Sequence, residues 1–199
     1  MELRRGVSSA TLSFVKPALL IVGLGNPGSS YESTRHNAGF RALDALHSVF
    51  GGGEWRDRPK FQASIAEMMI GTVPVLLVKP KTYMNRSGEA VHKLVDYYKA
   101  DPTFQLLVLS DDCDLPLGEV RFRSQGGPGT HNGLKSVVEN AGEGFPRLRI
   151  GLGQAPAGAD LAEWVLSVPS AEERTLLDAA LRTELPRKVE EFVLGSSQQ

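Results

Sequence analysis

The chain has 199 residues, 41% hydrophobic and 23% charged, enough for one domain that buries a core without metal or disulfide support. Its single cysteine, Cys113, excludes an internal disulfide framework and favours a reducing compartment. Lys and Arg total 22 against 23 Asp and Glu, a formal charge of -1, so any nucleic-acid partner must be held by a local basic patch. No apolar run approaches the roughly 20 residues needed to span a bilayer, so no membrane segment is expected and the location is expected to be cytoplasmic.

Residues 1–16 are poor in acids and carry basic and hydroxyl residues. A flexible N-terminal extension is expected there, organellar targeting being the alternative, and the domain itself is expected over 17–199. From Pro17 onward strand-like runs alternate with segments of helical period, which predicts an α/β fold. The run Ala18 to Val22 leads into a glycine-rich turn, after which Phe40, Leu43, Leu46 and Phe50 recur at helical spacing. Phe61 to Met69 and Val73 to Lys79 flank Gly71-Thr72 and predict a hairpin. Ser87 is expected to cap a helix carrying Val91, Leu94, Val95 and Tyr98, which ends before Pro102. Gln105 to Leu109 reads as a buried strand. Glu119 to Arg123 and Arg147 to Gly151 read as half-exposed strands, with a helix bearing Leu134, Val137, Val138 and Ala141 between them. Ser170 and Glu173 form a capping-box pattern before a last helix that Pro186 is expected to interrupt, and Gly195 to Gln199 are expected to fray. The whole is expected to be a single-domain α/β fold, a twisted, mixed and mostly parallel sheet with helices on both faces.

Polar residues gather at one edge of this arrangement. Asn26, Asn85 and Asp111 each lie just past an apolar run, and that edge is where open α/β sheets bind ligands. His36 from the first loop and Asn132 at a helix start would join them. Singly, each has a plain structural reading, as a turn residue or a helix cap. Two other readings compete. Gly23, Gly25 and Gly28 match a dinucleotide fingerprint, but Pro27 and the following SSYESTRHN delay the helix that such a site requires at its glycines. Asp111, Asp112 and Asp114, with His36 and His131, suggest a metal site, but their spacing fits no specific ligand pattern.

GLGNPG, YESTRHNAGF, KPKTYMNRSG, DDCDLPLG, GTHNGLKS and RLRIGLG, in this order and spacing, resemble the motifs of bacterial-type peptidyl-tRNA hydrolases over about Leu19 to Gly153. The resemblance implies a twisted mixed sheet flanked by helices, cleavage of the ester between a peptide and the terminal ribose of tRNA, and no cofactor or metal. It carries functional roles onto Asn26, His36, Asn85, Asp111 and Asn132. Ester hydrolysis without a Ser or Cys nucleophile needs a base near neutral pKa, which His36 supplies. Asp111 on the far ring nitrogen would fix its tautomer, and Asn26 would donate to the oxyanion. Asn85 and Asn132 are expected to hold the peptide backbone, with Met84 and His131 from the same motifs among the substrate contacts. Tyr31 and Tyr83 are candidates to stack on the terminal adenine of the CCA end. Period-two alternation pairs Arg121 with Arg123 and Arg147 with Arg149, and with Lys135 these are expected to bind acceptor-stem phosphates. The chain departs from the family pattern at Ser110, where His is common, at Thr130 in place of Gly, and at Pro128 in a glycine-rich loop. A monomer is expected. The alternative is a non-catalytic RNA-binding protein on the same fold.

Overall fold

The computed structural model describes residues 16–196. The expected extension over 1–16 lies, except for Lys16, outside the described residues, as do Ser197 to Gln199 of the tail expected to fray. Among the described residues seven strands form one sheet: β1 (Leu19–Gly23), β2 (Arg56–Arg58), β3 (Ala63–Ile70), β4 (Val73–Pro80), β5 (Leu106–Asp112), β6 (Val120–Arg123) and β7 (Arg147–Gly151). Their spatial order is β2-β3-β4-β1-β5-β7-β6. The central strands β4, β1, β5 and β7 pair in parallel, while β2 on β3, β3 on β4 and β6 on β7 are antiparallel. The sheet is therefore mixed, parallel at its centre and antiparallel at both margins.

Among the described residues six α-helices accompany it: α1 (Ala38–Phe50), α2 (Ser87–Tyr98), α3 (Pro102–Gln105), α4 (Asn132–Ala141), α5 (Leu161–Leu166) and α6 (Ala171–Ser196). Strand side chains alternate between faces, and this divides the core in two. Ile21, Leu77, Leu107, Leu109, Leu148 and Ile150 pack with Leu43 and Leu46 of α1 and Leu181 and Leu185 of α6. Val22, Leu76, Val78, Val108 and Phe145 pack on the other face with Leu94 of α2 and Val137 of α4. Each strand of the parallel centre is buried on both faces, which explains why the sequence shows apolar runs there rather than alternation.

Two close approaches set the position of α1. A Cβ on Gly39 would lie 2.4 Å from the Leu24 carbonyl oxygen, and one on Gly23 would lie 2.3 Å from that of Gly39. The start of α1 thus rests directly on the end of β1, and the turn that precedes it sits over the ends of β1 and β5.

The structure differs from the sequence expectations at several elements. Ser87 does not cap α2; its hydroxyl is buried and donates to the Met84 carbonyl at 2.9 Å, so it ties the turn before the helix instead. β5 continues past its apolar run, so Asp111 is a strand residue and not a loop residue. β7 is buried rather than half-exposed: Leu148 and Ile150 pack into the core that α6 shares, and on the other face Arg147 is enclosed against the Phe145 ring and the Gly127 and Glu143 carbonyls. Pro186 lies inside one continuous 26-residue helix. The carbonyl it leaves without a helical partner belongs to Arg182, an exposed residue whose backbone water can reach. The short β2, α3 and α5 have too few residues to show a period.

Candidate active site

The parallel register brings the ends of β4, β1 and β5 together; the chain leaves β1 for α1 on one face of the sheet and leaves β4 for α2 on the other, which makes the ends of these two neighbouring strands a topological switch point. Asn26 follows β1, Asn85 follows β4 and Asp111 is the next-to-last residue of β5. His36 lies at the centre of a 3-10 turn, Arg35–Asn37, that leads into α1.

Asp111 is almost fully enclosed and meets two imidazoles. His36 Nδ1 lies 2.9 and 3.0 Å from its two carboxylate oxygens, and His131 Nε2 lies 3.0 Å from Oδ1. Burial alone would push the Asp111 pKa up; the His131 and His36 rings outweigh that and hold it well below the ordinary carboxylate range. Burial works to lower the His36 pKa, but the charge and hydrogen bond of Asp111 overcome it and the net shift is upward. An ionised Asp111 accepts from Nδ1–H, which leaves the His36 Nε2 lone pair free as a base.

His131, expected as a substrate contact, is the N-cap of α4. Its Nδ1 accepts from the backbone N–H of Gly133 at 3.1 Å and of Leu134 at 3.2 Å. Nδ1 is therefore unprotonated, and the proton on Nε2 is donated to Asp111. His36, Asp111 and His131 offer ligand atoms within 4.8 Å of one another, a grouping of the kind that can hold a metal. A metal on His131 Nε2 would move the ring proton to Nδ1, where it would face two N–H donors and break the cap. The residues present do not fit a resident metal ion.

Asn26 is fixed on three sides. Its backbone N–H donates to Asn37 Oδ1 and its carbonyl accepts from Asn37 Nδ2, both at 2.9 Å, and its own Oδ1 accepts from the Met84 N–H at 2.8 Å. With the oxygen so engaged, the Nδ2 amide is the end left to donate to a ligand. Asn37, 1% exposed, ties the turn carrying His36 to the loop carrying Asn26; its only sequence signal was its place beside His36.

Met84, expected among the substrate contacts, is buried. Its sulfur abuts the start of α4, where a Cβ on Gly133 would lie 2.5 Å away. Asn85 and Asn132 are both exposed, and Asn132 Oδ1 accepts from Lys135 Nζ at 3.4 Å. Tyr83 has φ +61°, ψ 162°, a strained conformation for a bulky residue. Its exposed ring stands edge-on to that of Tyr31, with 6.5 Å between centroids.

The pairing of β6 with β7 puts Arg121 opposite Arg149 and Arg123 opposite Arg147, all four on the α4 side of the sheet. Arg121, Arg123 and Lys135 are exposed. Arg149 is partly enclosed and paired with Asp112. Arg147 is 1% exposed, stacked on Phe145 with 4.2 Å to the ring centre, and donates to the carbonyls of Gly127 and Glu143. It holds the β6–α4 loop and is unavailable to a phosphate, a correction that strand alternation could not supply. The Cys113 thiol, pushed up to about 12 by burial and the surrounding Asp111, Asp112 and Asp114, offers no thiolate nucleophile.

A sequence model of the family described as Peptidyl-tRNA hydrolase matches residues 20–197. A peptidyl-tRNA hydrolase of Chloroflexus aggregans is 50% identical over 163 residues, 81% of this chain and 86% of that protein. A chloroplastic peptidyl-tRNA hydrolase of Arabidopsis thaliana is 44% identical over 83% of this chain and 57% of its own length. The crystal structure of peptidyl-tRNA hydrolase from Acinetobacter baumannii superimposes with a TM-score of 0.84 at 38% identity, covering 94% of each chain.

Proposed function

The chain belongs to the peptidyl-tRNA hydrolase family, and from that premise we propose that His36, oriented by Asp111, is the base that drives water onto the ester of peptidyl-tRNA. The activity is hydrolysis of that ester, releasing free tRNA and peptide. The contact between His36 Nδ1 and Asp111, 2.9 Å at its shorter, carries the assignment of roles, because it leaves Nε2 as the accepting atom.

His36 Nε2 takes a proton from water as the water oxygen attacks the carbonyl carbon. Asp111 stays ionised and stabilises the imidazolium so formed. Charge gathers on the carbonyl oxygen, where Asn26 Nδ2 donates; loss of one such donor typically costs about two to three powers of ten in rate. The tetrahedral intermediate then collapses, the C–O bond to the ribose breaks, and the ribose oxygen takes the proton from Nε2. No step calls for a metal or another cofactor.

Exposed Asn85 and Asn132 flank the crevice with amides able to pair with any peptide backbone, which suits peptides of unrelated sequence. Arg121, Arg123 and Lys135, with Arg149 beside them, offer a sequence-neutral surface for acceptor-stem phosphates. Tyr31 and Tyr83 offer ring faces to the bases of the CCA end. Among the described residues no helix is long and apolar enough to cross a membrane; the reading takes the chain as a cytoplasmic monomer.

Release of free tRNA from an N-blocked aminoacyl-tRNA tests this directly. The wild type should turn over with or without chelator. His36→Ala should lose nearly all turnover while binding uncharged tRNA as before. Undiminished turnover by His36→Ala would remove it as the base, and tight binding without turnover by the wild type would favour the non-catalytic alternative.

A further inference from the structure

Arg35, the residue before the proposed base, has no part in the chemistry above, yet it is buried and its guanidinium is held by two side chains distant in sequence. Its Nη1 donates to Ser167 Oγ at 2.7 Å and its Nη2 to Glu173 Oε2 at 2.6 Å. Its backbone N–H donates to the Ser167 carbonyl at 3.0 Å, and its guanidinium stacks 4.8 Å from the centre of the Trp164 ring. Ser167 and Trp164 belong to α5 and the residue that ends it, and Glu173 to the first turn of α6. The same Glu173 oxygen accepts from the Ser170 N–H at 2.6 Å, so the α6 capping box and the Arg35 contact share one carboxylate. One turn into α1, Arg41 pairs with Asp178 of α6 in the same sense.

We infer that Arg35 is a positioning residue for the catalytic base, clasping the Arg35–Asn37 turn to the α5–α6 junction so that His36 is held against Asp111. The inference rests on the assignment of His36 as base. Arg35 and His36 are adjacent in one turn, with side chains directed apart: Arg35 toward α6, His36 toward β5. Asn37 then ties the same turn to Asn26. Base and oxyanion donor are thereby fixed relative to each other from both sides, over sequence separations of 132 and 138 residues on the Arg35 side.

A core-filling role does not call for this chemistry. Taking a guanidinium out of water is costly, and apolar residues of similar volume often stabilise such positions as well or better. What the planar fork supplies is direction, two donors at set angles onto two acceptors. Directional hold is what a general base needs, since displacement of about 1 Å can cost on the order of a hundredfold in rate.

Glu173→Gln is the informative variant, because Gln preserves the capping box while removing the charge opposite Arg35, at a side chain that is partly exposed and so spares the fold. Its kcat should fall about tenfold, with KM and affinity for uncharged tRNA unchanged. The acid limb of its pH–rate profile should move down, because a loosened His36 gains less from Asp111; His131, the other titratable group facing that carboxylate, stays fixed by its cap. Arg35→Gln should do the same more severely, and Arg35→Lys should recover only part of the loss. Wild-type kcat and an unmoved acid limb in Glu173→Gln and Arg35→Lys, with or without a lower Tm, would overturn the clasp. His36→Ala run beside them separates the two ideas: if it is inactive while the clasp variants match wild type, only the clasp fails, and if it is active, the base assignment fails and the clasp with it.

Discussion

Asp111 governs the protonation of the site from beneath it. On the proposed role of His36 as the base, activity needs Nε2 unprotonated, and the Asp111 charge raises the pKa of His36 above the ordinary 6.5. The rate should therefore fall as pH drops, with a midpoint above 6.5 that a pH profile of kcat/KM would measure. Asp111→Asn removes the raising influence and leaves burial, so its midpoint should lie lower and its plateau well below wild type. Stability runs the other way. The raised His36 pKa adds stability that is complete below 6.5 and lost as pH rises through the folded value. The depressed Asp111 pKa adds stability that is present above 3.8 and lost as pH falls below it. The pair thus stabilises the fold most between about 3.8 and 6.5, where His36 is protonated and the rate should already be low.

At the level of elements, α2 and α4 bring the turn bearing Asn85 and the helix start bearing Asn132 to one crevice. They meet at Gly88, where an added Cβ would lie 2.0 Å from the Ser136 carbonyl oxygen, and whose N–H donates to Ser136 Oγ at 3.0 Å. Gly88→Ala should therefore push the helices apart, at a cost of about 1–3 kcal/mol, seen as a lower Tm. Because Met84, just before α2, donates to Asn26 Oδ1 and abuts Gly133 at the start of α4, the variant should also lose kcat in the fraction that remains folded. The helix itself was legible from Val91, Leu94, Val95 and Tyr98, but its partner was not: a glycine is needed at Gly88 because of a backbone 48 residues away.

Across the whole molecule the charge is nearly neutral, so on the proposed reading tRNA affinity should depend on where the cations emerge. Arg123 and Lys135 are exposed on the α4 side, whereas Arg147 is enclosed. Arg123→Ala should weaken tRNA binding and reduce the slope of log K against log salt by about one. Arg147→Ala should leave that slope unchanged and lower Tm, because it removes the hold on the Gly127 and Glu143 carbonyls. Titration of binding over a salt series, with thermal melts beside it, distinguishes these two arginines.

Read alone, the sequence determined the α/β class, the hairpin of β3 and β4, the capping box of α6, and the collection of Asn26, His36, Asn85, Asp111 and Asn132 at one edge. Those features rest on local periodicity, turn chemistry and spacing along the chain, all of which are written in neighbouring residues. Tertiary structure decided the rest. It made His131 a cap and a second donor to Asp111, Asn37 the link between the His36 turn and Asn26, and Arg35 a tie to α6. It also enclosed Arg147 while leaving Arg123 exposed, and carried α6 on through Pro186 without interruption. Each of these depends on what lies across the sheet or beside the helix, and burial and hydrogen-bond partners of that kind come from residues distant in the chain.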